Sequence, residues 1–205
     1  MFRILSLDGG GIKGVFSAAV LAALEETSGK RCVEHFDLIT GTSTGGIIAL
    51  GLGLGKPAQE IVEFYREHGP QIFPGTSLVE RTTGLWRQLF GPKHSHDVLR
   101  EAVTQVLGDK RFGESKCRLL IPTYNAIGGR LFLLKKAHHE RFKYDYRALA
   151  VDVALATSAA PTYFKASPFP EHEGASYVDG GVWANCPALV GVVEAQHFLD
   201  RKSVV

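Results

Sequence analysis

Residues 2–27 read FRILSLDGGGIKGVFSAAVLAALEET: a strand pattern, a glycine turn and a helix pattern in succession. Residues 2–7 are apolar and rich in strand formers, whereas residues 15–27 have helical composition. Residues 35–53 repeat the arrangement, with HFDLITG as a strand, STGG as a sharp turn and IIALGLG as an apolar helix. Because consecutive parallel strands need a crossover helix, the repetition predicts an α/β fold with a mostly parallel sheet.

The rest of the chain has further strand and helix signals, separated by an irregular segment. Prolines and glycines between residues 70 and 95 interrupt any regular pattern, Ser95 fits a helix N-cap, and Gly108 fits a helix end. The remaining predicted helices are 57–67, 97–107, 147–157 and 188–199, and the remaining predicted strands are 117–124, 129–136 and a short one ending at Asp179. A sheet of this class normally continues after such a last helix, which leaves open whether the domain is complete or truncated at its C-terminus.

Composition predicts one globular domain, residues 1–205, because 45% of the residues are hydrophobic and 21% are charged. A net charge of +2 without runs of like charge argues against a nucleic-acid partner. The spacing of Cys32, Cys117 and Cys186 favours neither a disulfide framework nor a zinc site, so we expect a reducing, cytoplasmic compartment. Residues 38–55 are uncharged but too rich in glycine for a membrane span.

The stretch GTSTG, residues 41–45, matches the G-x-S-x-G nucleophile elbow. In that motif a serine stands on a strained turn between a strand and a helix, and both flanking elements are predicted here. The simpler interpretation is a glycine turn whose serine caps the following helix. Ser43 is therefore the candidate nucleophile.

A serine nucleophile needs a base, and the sequence does not single out a histidine for that role. We expect all eight histidines to have surface or capping roles. Asp179, at the end of the strand in YVDGG, is the alternative base, since burial would raise the pKa of its carboxyl group. An ordinary Asp-Gly turn is the competing interpretation.

The glycines of residues 9–14 also fit the dinucleotide-binding pattern G-x-G-x-x-G. That interpretation needs an acidic residue at the end of the second strand, where this sequence has ITGTSTG instead. A phosphate-binding Walker loop fails too, because Val15 and Phe16 follow Gly14. We predict instead that Gly9, Gly10 and Gly11, with the N–H of Thr44, form an oxyanion hole beside Ser43.

Together, DGGGIKG at 8–14, GTSTG at 41–45 and DGG at 179–181 resemble the patatin-like phospholipases. ATSAAPTYF at 156–164, Asn185 and Pro187 also fall where that family has similar segments. The resemblance runs through essentially the whole chain. It implies a three-layer α/β/α fold, a Ser43–Asp179 catalytic dyad and an oxyanion hole at residues 9–11. Lys13 stands where the family has a basic residue, and we derive no role for it.

The resemblance further implies hydrolysis of acyl esters in phospholipids or other lipids, without a metal or organic cofactor. Peripheral contact with the inner face of the cytoplasmic membrane would follow, and the oligomeric state stays open. The irregular segment 70–95 is our candidate lid or membrane-facing patch, with ordinary core packing as the alternative. Its apolar residues are Ile72, Phe73, Leu78, Leu85, Trp86, Leu89 and Phe90.

Residues 3–26 and 41–56 are similar more narrowly to compact bacterial patatin-like effectors of antiphage defence. That likeness implies activation by a cyclic nucleotide and low activity without it, although no residue by itself indicates a nucleotide site. The alternative from another functional class is a catalytically idle lipid- or nucleotide-binding module on the same fold. A dinucleotide-dependent oxidoreductase is the third interpretation, and it predicts binding of NAD.

Overall fold

A computed structural model of the protein describes residues 1–72, 93–161 and 163–199. Its centre is one six-stranded sheet in the order β1-β2-β3-β6-β5, with β4 paired to β3. The strands are β1 (Ile4–Leu7), β2 (Leu38–Gly41), β3 (Arg118–Asn125), β4 (Arg130–Lys135), β5 (Ser167–Pro168) and β6 (Ser176–Asp179). β1, β2 and β3 run parallel, while β4, β5 and β6 join in antiparallel pairs.

The longest strand, β3, organises the sheet because three strands pair with it. β4 covers one edge of β3 from Leu120 to Asn125. Two strands share the other edge, with β2 paired as far as Leu120 and β6 paired from Thr123 to Asn125. Since β2 is parallel to β3 and β6 is antiparallel to it, the C-terminal ends of β2 and β6 point toward each other beside Pro122.

Helices cover both faces of the sheet. They are α1 (Gly14–Ser28), α2 (Cys32–His35), α3 (Thr44–Gly53), α4 (Ala58–Ile72), α5 (Lys93–Leu107), α6 (Ala150–Ser158), α7 (Gly181–Ala184) and α8 (Ala188–Glu194). The main core joins α1, α3, α4, α5 and α6 to the face that carries Leu7, Ile39 and Leu119. Helix α8 packs on the opposite face, where Gly191 approaches Ile4 and Thr40.

The predicted fold class is confirmed: the molecule is α/β, with a parallel strand core and helices on both faces. Several element boundaries were predicted wrongly, and three of them have a clear physical cause. β2 begins at Leu38 because residues 32–35 form α2, which the Glu34 carboxylate caps by accepting the Arg31 N–H at 2.8 Å. Helix α4 continues through Pro70, since its buried apolar face outweighs one lost hydrogen bond. Helix α5 begins before Ser95, so Ser95 is not its N-cap.

The candidate lid at residues 70–95 lies mostly outside the described residues, which resume at residue 93. Ile72, the last residue of α4, is described and is buried in the core. Within the described parts of the chain, no helix is both long enough and apolar enough to cross a membrane.

Candidate active site

Ser43 occupies a strained turn between β2 and α3. Its backbone has φ 55° and ψ −126°, and it is the only residue other than glycine with a positive φ in the described chain. An L-residue in such a conformation costs about 1–3 kcal/mol, which the surrounding packing must offset. The turn places the Ser43 side chain directly before the first residue of α3, where the helix dipole is positive.

Close backbone approaches explain the glycines around Ser43. A Cβ atom at Gly41 would lie 2.2 Å from the Gly45 carbonyl oxygen, and one at Gly45 would lie 2.3 Å from the Leu7 carbonyl oxygen. Both distances are shorter than any stable contact. The turn therefore closes only with glycine at these two positions, and Gly45 lets α3 pack directly on the end of β1.

Ser43 and Asp179 meet at the junction of β2 and β6. The Ser43 hydroxyl donates a hydrogen bond to Asp179 Oδ2 at 2.6 Å. The second carboxylate oxygen, Oδ1, accepts the Gly181 N–H at 2.6 Å. Both Asp179 oxygens are thus held, and one of them is directed at the serine hydroxyl.

Burial sets the electrostatics of this pair. The Asp179 residue is 6% exposed, and burial raises the pKa of its carboxyl group above the ordinary value. The hydrogen bonds from Ser43 and Gly181 lower the pKa and offset only part of that rise. Asp179 is consequently a stronger base than a solvated aspartate.

The glycine loop, residues 9–11, packs against Ser43, but two of its backbone N–H groups already have hydrogen-bond partners. The Gly9 N–H donates to the Asn185 carbonyl at 3.0 Å, and the Gly10 N–H donates to Thr44 Oγ1 at 3.2 Å. Among the described residues, no partner is found for the N–H groups of Gly11 and Thr44. Gly11 has φ 57°, and Thr44 begins α3, where first-turn amides have no partner within the helix.

The expectation that every histidine lies at the surface or at a helix cap does not hold for His138 and His172. The His138 side chain is 3% exposed, and its Nε2 lies 2.8 Å from the Glu194 carboxylate. His172 lies between the Tyr177 hydroxyl at 2.8 Å and Asp145 at 3.0 Å. Both histidines are held by partners other than Ser43 and Asp179.

Sequence reasoning missed the contacts that two further residues make with the site. The hydroxyl of Thr157, in α6, accepts the Ser43 N–H at 3.1 Å. The Asn185 carbonyl fixes Gly9, and Asn185 Oδ1 would lie 2.6 Å from a Cβ at Gly9. Both residues fall within segments that resemble the family, but nothing in their spacing predicts these contacts.

An α/β sheet with a serine–aspartate pair at a nucleophile elbow defines a class of serine hydrolase-like proteins, and comparison with known proteins specifies the family. A model described as patatin-like phospholipase matches residues 5–192. The chain belongs to this family. VipD of Legionella pneumophila has a similar fold, with a TM-score of 0.55 and 14% identity over 88% of this chain and 46% of its own.

Curated relatives show higher sequence identity. A cGAMP-activated phospholipase of Pseudomonas aeruginosa is 41% identical over 98% of this chain and 59% of its own length. A protein of the same name from Vibrio cholerae is 39% identical over 94% of this chain and 57% of its own. Patatin-like protein 4 of Arabidopsis thaliana is 34% identical over 100% of this chain and 54% of its own. The chain therefore spans little more than half the length of these relatives.

Proposed function

We propose that the protein is a lipid acyl hydrolase that cleaves fatty-acyl esters of phospholipids through Ser43 and Asp179. The observation that carries the proposal is the 2.6 Å hydrogen bond from the Ser43 hydroxyl to the buried Asp179 carboxylate. It supplies the two groups that nucleophilic catalysis needs, a hydroxyl and a base in direct contact.

In the proposed reaction Asp179 takes the Ser43 proton as Oγ attacks the ester carbonyl carbon. The tetrahedral intermediate collapses, the lysolipid or alcohol leaves with the proton held by Asp179, and the acyl group remains on Ser43. Water, deprotonated by Asp179, then hydrolyses the acyl-enzyme and restores the serine. The raised pKa of Asp179 favours this proton transfer, because a stronger base accepts the hydroxyl proton more readily.

The oxyanion hole in this proposal comes from the glycine loop and the N-terminus of α3. The amides of Gly11 and Thr44 would bind the oxyanion first, while those of Gly9 and Gly10 are available only after their present bonds break. A low basal activity follows, since half of the proposed donors are engaged. An activator that shifts the loop would raise the rate.

We infer that a cyclic nucleotide is such an activator, on the strength of two relatives named cGAMP-activated phospholipase. With this activator the protein would degrade phospholipid at the inner face of the cytoplasmic membrane, as an antiphage effector. The competing function is a catalytically idle lipid- or nucleotide-binding module, in which Ser43 and Asp179 would not react with an ester.

The test is release of fatty acid from phosphatidylethanolamine–phosphatidylglycerol vesicles, with and without cGAMP and other cyclic dinucleotides. Ser43→Ala and Asp179→Asn are compared with wild type, and Ser28→Ala, at the exposed end of α1, is the control. Loss of activity in Ser43→Ala and Asp179→Asn, with activity retained in Ser28→Ala, supports the hydrolase. Retained activity in Ser43→Ala overturns the mechanism, and a wild type silent under every condition favours the binding module.

A further inference from the structure

We propose that Thr157 is the positioning residue that sets the contact between Ser43 and Asp179, an inference that rests on the proposed hydrolase function. Thr157 is the penultimate residue of α6 and is completely buried. It bonds to Ser43, just after β2, to Gly180, just after β6, and to Pro122 in β3, the strand with which both pair.

At the end of β2, the Thr157 hydroxyl both donates and accepts a hydrogen bond. Its Oγ1 donates to the Pro122 carbonyl at 2.7 Å and accepts the Ser43 N–H at 3.1 Å. A hydroxyl has one proton, so the bond to Pro122 leaves the oxygen lone pairs free for the serine amide. The strained backbone of Ser43 is thereby tied to β3.

The carbonyl groups at the C-terminal end of α6 accept hydrogen bonds from backbone N–H groups at the end of β6. The Thr157 carbonyl accepts the Gly180 N–H at 3.2 Å, and the Ala159 carbonyl accepts the Asp179 N–H at 3.0 Å. The last carbonyls of a helix have no partner within it, so they are available for this purpose. Thr157 therefore contacts the residue after the base with its main chain and the nucleophile with its side chain.

The sheet itself cannot supply this link, because β2 and β6 do not pair with each other. The register of β2 ends opposite Leu120 and that of β6 begins opposite Thr123. Pro122 lies between these positions, and proline has no N–H to offer either strand. Without Thr157, the separation of Ser43 Oγ and Asp179 Oδ2 would depend on their own hydrogen bond, on the 2.6 Å bond from the Thr42 hydroxyl to the Ala184 carbonyl and on neighbouring packing.

Thr157 acts through Ser43 and Asp179 and does not itself touch the reacting atoms. Loss of its hydroxyl would free the Ser43 amide and loosen the bond between serine and aspartate. Because that bond lowers the pKa of Asp179, loosening it would let burial raise the pKa further. A purely structural role would reduce stability without moving the pH dependence of the reaction.

The experiment compares Thr157→Val, which keeps the shape and removes the hydroxyl, with Thr157→Ser, which keeps the hydroxyl. Thr40→Val is the matched control, because Thr40 is also fully buried and its hydroxyl donates at 2.8 Å to the Leu120 carbonyl on β3. Hydrolysis of a soluble p-nitrophenyl ester is followed over roughly pH 3 to pH 9, a range that begins below the ordinary aspartate pKa, with the activator present if wild type requires it. Melting temperatures are measured for every variant.

We expect Thr157→Val to lower kcat by about 10- to 100-fold with little change in KM, as misplacement of a reacting group does. The acid limb of its pH profile should move to higher pH, while Thr157→Ser and Thr40→Val keep the wild-type limb. If Thr157→Val keeps the wild-type rate and acid limb while Ser43→Ala and Asp179→Asn are inactive, the inference about Thr157 is overturned and the proposed function stands. Activity in Ser43→Ala overturns the proposed function and the inference with it.

Discussion

At the scale of single residues, the site combines a strained serine with a desolvated aspartate. Ser43 holds a backbone conformation that only glycine adopts freely, and Asp179 holds a carboxylate where water scarcely reaches it. Each condition costs folding free energy, and in the proposed hydrolase each would increase reactivity. The strain exposes the hydroxyl at a helix N-terminus, and the desolvation makes the carboxylate a better proton acceptor.

The pH dependence of hydrolysis should report the raised pKa of Asp179. The base must be ionised, so kcat/KM should fall as pH drops through that pKa, and the acid limb should lie above the ordinary aspartate value of 3.8. A pH profile of wild-type ester hydrolysis measures the limb. A limb at or below 3.8 would contradict a buried aspartate base.

Asp179→Asn should abolish hydrolysis and yet stabilise the fold at neutral pH. An acid whose pKa is raised by folding reduces stability as pH rises from its unfolded pKa to its folded pKa, and the full cost persists above that range. Asparagine carries no charge: its carbonyl can accept the Gly181 N–H, and its NH2 group can donate to Ser43 Oγ in a bond of reversed direction. We expect a melting temperature about 2 °C higher at pH 7, a rise that vanishes below pH ~3.8. An equal difference at every pH would contradict this account.

At the scale of elements, the turns and helix ends bring the site together. Glycines at 41 and 45 let β2 turn sharply into α3, and the end of α6 bonds to β3 and β6. These elements are short, with four residues in β2 and nine in α6. Their position is therefore set by what they pack against rather than by intrinsic propensity.

Gly45→Ala should destabilise the protein severely, because the new methyl group would lie 2.3 Å from the Leu7 carbonyl and force β1 away from α3. We expect a loss of about 3 kcal/mol or more, in the range of severe overpacking. Gly29→Ala is the control, since Gly29 has φ 67° and no atom within 4 Å of the added Cβ.

Urea unfolding measures both variants. The control should lose about 1–2 kcal/mol, the cost of the left-handed backbone alone. A loss in Gly45→Ala no larger than that in Gly29→Ala would show that the approach to β1 does not require glycine at position 45.

At the scale of the whole molecule, a buried ionic cluster ties β4 to the end of α8. Glu194 is 3% exposed and contacts Lys135 Nζ at 2.6 Å and His138 Nε2 at 2.8 Å. Burial by itself would raise the pKa of Glu194, but the hydrogen bonds and charges of His138 and Lys135 outweigh burial and lower it. The ionised carboxylate therefore stabilises the fold.

Glu194→Gln should destabilise the fold by about 3 kcal/mol at pH 7, because it leaves the Lys135 charge buried without its counterion. An acid with a lowered folded pKa stabilises the fold above its unfolded pKa, ordinarily about 4.5, and the contribution is lost as pH falls through the folded pKa. The difference from wild type should hence shrink below pH 4.5. Glu60→Gln, in the exposed Lys56–Glu60 pair, should change stability by less than about 1 kcal/mol.

Thermal unfolding over roughly pH 3 to pH 8, a range that spans the ordinary glutamate pKa, measures both variants. A Glu194→Gln protein as stable as wild type at pH 7 would mean that the cluster contributes nothing to the fold.

The sequence predicted the elements that have a strong local pattern. For the two strand–turn–helix units before residue 55, the types and order of the elements were predicted correctly, because hydrophobic runs and glycine turns are encoded by neighbouring residues. Helix α2 and the two-residue strand β5 were missed, since neither is long enough to produce a periodic pattern. Pro70 was misread, because its helix is held by tertiary packing that outweighs a local preference against proline.

The sequence by itself determined that Ser43 lies on a glycine turn between a strand and a helix, since local sterics decide that geometry. Only the tertiary structure decided that Asp179, 136 residues further along the chain, meets the serine hydroxyl. That meeting requires β2 and β6 to share one edge of β3, a register that depends on long-range pairing. The contacts of Thr157 and the engaged amides of the glycine loop depend on the same packing, because hydrogen bonds between distant segments leave no periodic signal in a single sequence.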